Sequence, residues 1–320
     1  MKKFEFKKKK FSYILIFLIL VVYIRIFFVF FIQEKKEDRV VFSKKIDELK
    51  ITEKITGLNF IRVNKGIFFM GSPEDETGRK SDESPLSKIK IDEFMISENE
   101  VRVKDFSIFV SETNYLTSAE KEGYSYVYSG LTGNWEKKKG ISWKNPGFEQ
   151  TDNHPVVHVS FFDAREFADW LDRKNKKYKI RLVKENEWEF AAKKGMLKKQ
   201  TNICNIANCA DESARQRFSG WKISSCNDGH IFTSPVKSFL PDGLGLYDMI
   251  GNVWEWCDSE YKPYITPKNS TIYGKNKNVV IKGGSFYSKP EFLRASAREH
   301  LSSGTKRAYD IGFRLALTPK

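Results

Sequence analysis

The sequence predicts an α+β protein with long ordered loops, preceded by one transmembrane helix. Three observations support this class: an apolar run precedes a polar remainder, two segments have helical periodicity, and the stretches between them are dense in Gly, Asn, Asp, Trp and Tyr. The mean hydropathy of −0.49 over 320 residues is typical of a water-soluble domain. The apolar run therefore differs in kind from the rest of the chain.

The apolar run covers residues 11–32 and reads FSYILIFLILVVYIRIFFVFFI. As a helix its 22 residues extend about 33 Å, enough for a hydrocarbon layer about 30 Å thick. Arg25 is charged but off-centre, so its side chain can reach the interface. Six lysines in residues 1–10 should remain cytoplasmic. We expect a single-pass membrane protein with a cytoplasmic N-terminus and an extracytoplasmic domain, and a cleaved signal peptide is the alternative.

These features divide the chain into four parts: a basic tail (1–10), a transmembrane signal anchor (11–32), a charged spacer (33–57) and one large domain (58–320). Much of the net charge of +14 lies in the tail, and the other basic residues are scattered through loops. No helix-turn-helix, zinc-finger or RNA-recognition pattern accompanies them. Nucleic acid is therefore not an expected partner.

Helices are predicted at residues 161–175, 184–194 and 103–113. Ser160 and Asp163 form a capping pattern at the start of the first. Five residues at helical spacing predict its buried face: Phe161, Ala164, Phe167, Ala168 and Leu171. The residues predicted to face inward on the second helix are Trp188, Ala191 and Ala192.

Strand candidates are short and lie at residues 60–70, 87–96, 279–281 and 311–317. The rest of the domain is expected to be ordered loop. Many loop backbone groups then need partners, which makes disulfides or metal ions plausible cross-links.

Several motifs occur in a specific order along the domain. They are FIRVNKGIFFMGS (60–72), NHPVVHVS (153–160), RLVKENEWEFAAKKG (181–195), GLGLYDMIGNVWEW (243–256), KGGSF (282–286), RASAR (294–298) and GFRLA (312–316). In this order the chain, from about residue 58 to 317, resembles the sulfatase-modifying-factor (formylglycine-generating enzyme) family. The resemblance implies the FGE-sulfatase fold, a C-type-lectin-like core with long loops.

Calcium is the expected cofactor. Hard oxygen donors in Gly- and Asn-rich loops suit this ion, although such residues commonly cap turns. The resemblance implies a first site on Asn205, the Ile206 carbonyl, Asp228 and the His230 carbonyl. It implies a second site on Asp248, the carbonyls of Gly251 and Val253, and Glu255.

The four cysteines allow two interpretations. A disulfide among Cys204, Cys209 and Cys226 is expected in an oxidising space. A zinc site formed by these three and His230 is the alternative, although the spacing CxxxxC…CxxxH is not a standard one. Cys257 follows WEW and is expected to pack in the core.

Copper is not expected. In the family, oxidation of a substrate cysteine depends on copper(I) held by two thiolates after the GGS motif, and soft thiolates select this ion. Ser288 stands where the first cysteine would be, and the segment before RASAR is too short for the second. No other cysteine is expected to reach this loop.

Five residues occupy or neighbour the positions of the family's substrate groove: Trp254, Ser285, Ser288, Arg298 and His300. Core packing is the alternative for Trp254, and an internal ion pair is the alternative for Arg298. His154 and His158 are expected to be structural. The favoured function is a non-oxidase binding or scaffold role toward an exported protein, peptide or glycan. The alternatives are a formylglycine-generating oxidase acting on exported sulfatases and another extracytoplasmic modifying enzyme.

Overall fold

The computed structural model describes residues 50–129, 132–196, 202–215, 223–262, 264, 277–302 and 306–320. The predicted tail, anchor and most of the spacer lie outside these residues. Within them, no helix combines the length and apolarity needed to cross a bilayer. The chain divides into two compact units, Met1–Ile51 and Thr52–Lys320, and the second contains all the features discussed below.

The described part of the chain contains thirteen strands. They are β1 (Lys50–Thr52), β2 (Asn59–Val63), β3 (Gly66–Met70), β4 (Ser87–Ile91), β5 (Phe94–Ser97), β6 (Tyr124–Ser129), β7 (Asn134–Lys139), β8 (Tyr178–Leu182), β9 (Trp254–Glu260), β10 (Asn278–Lys282), β11 (Arg298–Ser302), β12 (Ile311–Phe313) and β13 (Leu315–Pro319). Four α-helices accompany them: α1 (Val103–Thr113), α2 (Ser118–Glu122), α3 (Phe161–Lys174) and α4 (Glu185–Gly195). Long connections join these elements, as the sequence predicts.

The first sheet places β2, β5, β13 and β8 side by side, all antiparallel. All four residues of β5 are buried because it is a central strand. Ile96 of β5 faces Ile61 on one side and Ala316 on the other.

The second sheet has the order β11-β10-β9-β12. Strand β9 carries the WEW motif and pairs with β12 in parallel and with β10 in the antiparallel sense. Only Arg314 separates β12 from β13, so the chain leaves one sheet and enters the other at this residue. Arg314 is fully buried, and its guanidinium holds the Glu255 carboxylate of β9 at 2.7 Å.

Helix α3 confirms the predicted cap and face. The Asp163 backbone N–H donates to Ser160 Oγ at 3.2 Å, and the Ser160 N–H donates to Asp163 Oδ2 at 2.8 Å. All five residues predicted for its inner face are buried. Phe167 stacks against Phe106 of α1, with ring centroids 5.8 Å apart.

The other helices are also confirmed, and the strands need correction. Residues 103–113 and 184–194 match α1 and α4 to within one residue, and Trp188 is fully buried. The segments 60–70, 87–96 and 311–317 each contain two strands instead of one. A short irregular stretch breaks each segment and sends its second half to a different pairing partner.

Candidate functional site

The GGSF loop and the residues that follow it carry two of the predicted groove residues, Ser285 and Ser288. Gly283 and Gly284 both have positive φ values, of 98° and 77°, a conformation that favours glycine. The loop is joined to the turn before WEW, because the Phe286 N–H donates to the Asn252 carbonyl at 2.9 Å. The Ser285 N–H donates to Ser288 Oγ at 2.9 Å. Ser288, expected from the resemblance to stand at a copper-ligand position, therefore holds the loop in shape.

Asp310 lies beside this pair of serines and was not identified from the sequence. Ser285 Oγ donates to Asp310 Oδ2 at 3.1 Å, while Asp310 Oδ1 has no hydrogen-bond partner among the described residues. Only 3% of Asp310 is exposed, and burial raises the pKa of its carboxyl to about 7. In the sequence Asp310 is marked by its position two residues before the GFR motif. No periodic pattern at that position indicates that the side chain belongs to a site.

A cavity of about 310 Å³ opens next to Asp310. Trp254 and His300, two predicted groove residues, line it together with Asp310. The His300 ring stacks on Tyr261, with centroids 3.9 Å apart, which fixes its orientation. Two of the five predicted groove residues, Trp254 and His300, therefore line the cavity, and Ser285 and Ser288 connect to it through Asp310.

Arg298 does not belong to this cavity. It is buried, and its guanidinium pairs with the Glu185 carboxylate at 2.8 Å. The rings of Tyr261 and Tyr264 lie against the same guanidinium at 4.5 and 4.3 Å from its central carbon. The structure shows the internal ion pair that was the alternative interpretation of this residue.

Aromatic side chains border the cavity. Trp135 of β7 lines it and remains 46% exposed. Its ring lies edge-on to Tyr309 at 5.6 Å and to Tyr287 at 6.0 Å. An exposed indole supported on two sides presents a rigid apolar contact at low entropic cost. The sequence analysis did not identify this residue as part of the site.

The second predicted calcium site is a buried acidic cluster. Asp248 Oδ2 accepts the Lys237 N–H at 2.9 Å, but Asp248 Oδ1 has no hydrogen-bond partner among the described residues. Glu100 was not expected in this cluster. Its Oε1 has no hydrogen-bond partner among the described residues, and its carboxylate adds negative charge near Asp248 and Glu255. Burial raises the pKa of Asp248 to about 6. Burial also raises the pKa of Glu100 well above its usual value, with further contributions from Asp248 and Glu255.

A divalent cation fits this second cluster. Three buried carboxylates face the single guanidinium of Arg314, and two of their oxygens lack partners. Glu255 already receives hydrogen bonds from Arg314 and from Trp188 Nε1 at 2.6 Å. Asp248 is therefore the side chain best placed to become a ligand.

The first predicted calcium site fits less well. Asp228 accepts the N–H groups of Cys209 and His230, both at 2.8 Å. The His230 carbonyl accepts Ser213 Oγ at 2.8 Å. Asn205 lies in a 3-10 turn with its side chain exposed. Asp228 and the His230 carbonyl already have partners within the protein, so two of the predicted donors are less available to a cation than Asp248 is.

The cysteines form the expected disulfide, between Cys204 and Cys226. The structure favours the disulfide over the zinc alternative, because cysteines joined in a disulfide cannot also serve as thiolate ligands. Cys209 and Cys257 are buried free thiols. Burial raises the pKa of Cys209 to about 12 and the pKa of Cys257 well above its usual value.

The position of Cys209 corrects one expectation. It packs against Leu293, and the neighbouring Ala210 N–H donates to the Ser288 carbonyl at 3.3 Å. A cysteine therefore does approach the GGSF loop. Its thiol lies 3.7 Å from Ser224 Oγ. No second free thiol joins it there, because Cys257 belongs to the core cluster around Trp188.

Both histidines expected to be structural have buried partners. His158 Nδ1 is 2.7 Å from Ser125 Oγ, and His154 Nδ1 is 2.9 Å from Thr233 Oγ1. Burial lowers the pKa of His158 to about 3 and that of His154 to about 4, so both are neutral at physiological pH. These contacts connect the loops that surround the sheets.

The fold and the GGSF loop together define a domain of the formylglycine-generating-enzyme type. The family model "Sulfatase-modifying factor enzyme 1-like domain" matches residues 46–319. The chain is 30% identical over 289 residues to the formylglycine-generating enzyme of Streptomyces coelicolor, covering 80% of this chain and 88% of that protein. It is 32% identical over 228 residues to the inactive Cα-formylglycine-generating enzyme 2 of Bos taurus, covering 64% of this chain and 72% of that protein.

Among solved structures, PvdO from Pseudomonas aeruginosa matches with a TM-score of 0.67 and 26% identity, covering 84% of this chain and 97% of that one. The chain belongs to the sulfatase-modifying-factor family. Its relatives include enzymes and a protein named as inactive, so membership alone does not decide its activity.

Proposed function

We propose that this chain is a membrane-anchored, extracytoplasmic binding member of the family, without formylglycine-generating oxidase activity. Its ligand is an exported protein, peptide or glycan that enters the cavity beside Asp310. The anchor of residues 11–32 and the cytoplasmic lysines of residues 1–10 are the basis for the membrane attachment.

The distribution of the four cysteines is the observation that carries this proposal. Two are joined in the disulfide, and two are buried thiols whose pKa values are raised. Copper(I) bound by two thiolates needs a pair of accessible, low-pKa sulfurs at the substrate. The loop after GGSF instead offers Ser288, whose hydroxyl is already engaged with Ser285.

The cavity supports a binding role. Trp135 and Trp254 supply flat apolar surface, and Glu299 and Lys306 supply charges of both signs at its walls. A pocket with aromatic walls and a few polar groups is the usual form of a ligand site. A peptide and a glycan would meet the same requirement here, which is a segment that stacks on an indole ring.

Calcium is proposed for the second cluster only. Asp248 would hold the calcium ion with the Gly251 and Val253 carbonyls. Glu255, which is paired with Arg314, would contribute negative charge. The ion would balance buried negative charge and fix the turn that supports the GGSF loop.

A copper titration combined with an oxygen-consumption assay tests the proposal. The full-length protein in detergent micelles is titrated with copper(I) and given a peptide that carries the CxPxR sulfatase motif. The Streptomyces coelicolor relative serves as the positive control. We expect no stoichiometric copper binding and no peptide oxidation.

Stoichiometric copper with peptide oxidation would overturn the proposal. The Cys209→Ser variant would then show whether the thiol beside the GGSF loop supplies a ligand, with Cys257→Ser as the matched control for loss of a buried thiol.

Asp310 favours a second candidate function, a modifying enzyme that does not use copper. A carboxyl with a pKa of about 7 beside a cavity suits general acid–base chemistry. Mass spectrometry of the same peptide after incubation distinguishes this case, because a change of mass other than oxidation would support it.

A further inference from the structure

The hairpin formed by β3 and β4 has two unlike faces. Its strands pair in antiparallel register, with Ile67 opposite Lys90 and Phe69 opposite Lys88. Side chains alternate between faces along each strand, so these four residues share the outer face. Phe68 and Ile89 point the other way and pack against the core cluster.

The outer face exposes large apolar side chains. Ile67 is 61% exposed and Phe69 is 59% exposed. Leu86, which immediately precedes β4, is also exposed and lines a shallow pocket with Phe69 and Met196. Contiguous exposed apolar side chains of this size mark a contact surface.

Lysines surround this apolar surface. Lys88 and Lys90 are both exposed on the same face as Ile67 and Phe69. Lys194 donates to the Asn64 carbonyl at 3.2 Å, so another ammonium group lies at the hairpin's edge. Lys193 donates to the Phe69 carbonyl at 2.9 Å, but its charge is balanced by the buried Glu189 at 2.8 Å.

Acidic groups near the hairpin are partly neutralised. Glu76 pairs with Arg294 at 2.5 Å, and Glu93, which follows β4, pairs with Arg62 at 3.4 Å. Glu74 and Asp75, which follow β3, and Asp92, which follows β4, are exposed acidic residues outside the two strands. Cationic charge therefore dominates on the strands themselves, beside the exposed Ile67 and Phe69.

We propose that the outer face of the β3–β4 hairpin docks on an anionic phospholipid surface. Ile67 and Phe69 enter the headgroup region, and Lys88 and Lys90 meet the lipid phosphates. Apolar side chains alternating with lysines are the combination that binds such interfaces. A protein partner would need acidic residues placed to match the lysines. A bilayer of anionic lipid supplies negative charge without such a specific fit.

The proposal extends the proposed membrane attachment and agrees with the length of the connecting segment. Residues 33–49 lie between the predicted anchor and β1, and these 17 residues span at most about 58 Å when extended. A domain on so short a tether stays near the bilayer, where weak lipid contacts act at high effective concentration.

The test measures the environment of the hairpin in the full-length protein. A Phe69→Cys variant carrying an environment-sensitive fluorophore is reconstituted into phosphatidylcholine vesicles with and without phosphatidylglycerol. Thr132→Cys, on the β6–β7 hairpin, is the labelling control. We expect a blue-shifted emission and quenching by spin-labelled lipid at position 69 only, with a several-fold stronger signal in the anionic vesicles.

Charge reversal tests the lysines. Lys88→Glu/Lys90→Glu should reduce the quenching at position 69 several-fold, whereas Lys138→Glu/Lys139→Glu, the same charge change on the β6–β7 hairpin, should leave it unchanged. An emission at position 69 that is equally water-exposed in anionic vesicles and in detergent would overturn the proposal. A shift that depends on protein concentration and not on lipid charge would also overturn it, in favour of contact with a second copy. Vesicle flotation reports the anchor separately, so loss of docking and loss of anchoring are distinguishable.

Discussion

At the scale of single residues, the site depends on a buried carboxyl that has one hydrogen-bonded oxygen and one free oxygen. Asp310 Oδ2 accepts Ser285 Oγ, while Oδ1 has no partner among the described residues. Removing a carboxylate from water without a cation favours its protonated form. The sequence could not predict this, because the burial of Asp310 depends on loops that come from distant parts of the chain.

The Asp310→Asn variant should change the pH dependence of stability. Because the folded-state pKa is about 7 and the ordinary value is 3.8, the folded wild type binds the extra proton between about pH 4 and 7. Its stability should therefore fall as the pH rises through this window, by up to about 4 kcal/mol. The asparagine variant should show a smaller fall, because it lacks the contribution of Asp310 and keeps that of Asp248, whose pKa is also raised. Chemical denaturation at pH 5 and pH 8 measures the difference between the two proteins. Parallel profiles for the two proteins would contradict the assignment.

The groove residues show how far the sequence leads. Trp254 and His300 line one cavity and Ser285 connects to it through Asp310, since GNVWEW and GGSF lie on neighbouring strands and turns. Arg298 fails as a groove residue because a fully buried guanidinium needs a carboxylate partner, and Glu185 of α4 provides it. A sequence motif therefore predicts where a side chain lies in the fold, but it does not predict which other side chains it contacts.

At the scale of secondary-structure elements, the three longer helices were predictable, whereas the short helix α2 and many strands were not. Helix α3 has a complete apolar stripe and its own cap, so its signal is local. Strand β7 is exposed along its whole length and has no alternating pattern to detect. The hairpin of β3 and β4 was merged into longer segments, because its turns to β2 and β5 are short and polar.

The cap of α3 gives a prediction at this scale. Ser160→Ala removes the acceptor for the Asp163 N–H and should destabilise the protein by about 1 kcal/mol. Ser111→Ala is the matched control, because Ser111 Oγ donates only to the Ile108 carbonyl on an exposed part of α1. Urea denaturation of both variants measures the difference. Equal midpoints would mean that Asp163 alone holds the start of the helix.

At the scale of the whole molecule, buried charge connects the two sheets. Arg314 lies between β12 and β13 and bonds Glu255 of β9, while its guanidinium also donates to the Tyr247 and Asp248 carbonyls. Glu100 and Asp248 add further buried acid beside this pair. The cluster therefore lies at the junction of the fold, where an added cation would act on both sheets.

Calcium should raise the melting temperature of the protein. A ligand present at 100 times its Kd stabilises the folded state by about 2.7 kcal/mol. Asp248→Ala should abolish the calcium-dependent shift, and Asp228→Ala should retain it. Asp248 has a carboxylate oxygen without a hydrogen-bond partner among the described residues, whereas both oxygens of Asp228 accept backbone N–H groups. Differential scanning calorimetry with calcium and with a chelator measures both. A shift that survives in Asp248→Ala and disappears in Asp228→Ala would place the ion at the first site instead.

The position of β13 has a consequence for how the protein is made. This strand lies between β5 and β8, and the Leu315 N–H donates to Ser97 Oγ, 218 residues away in the chain. During synthesis, β5 cannot pair with β13 until nearly all of the domain has emerged from the ribosome. The first sheet therefore forms late, and unfinished chains present its open edge. Such chains are natural clients for holding chaperones, and a ribosome stalled shortly before β13 would release a product unable to fold.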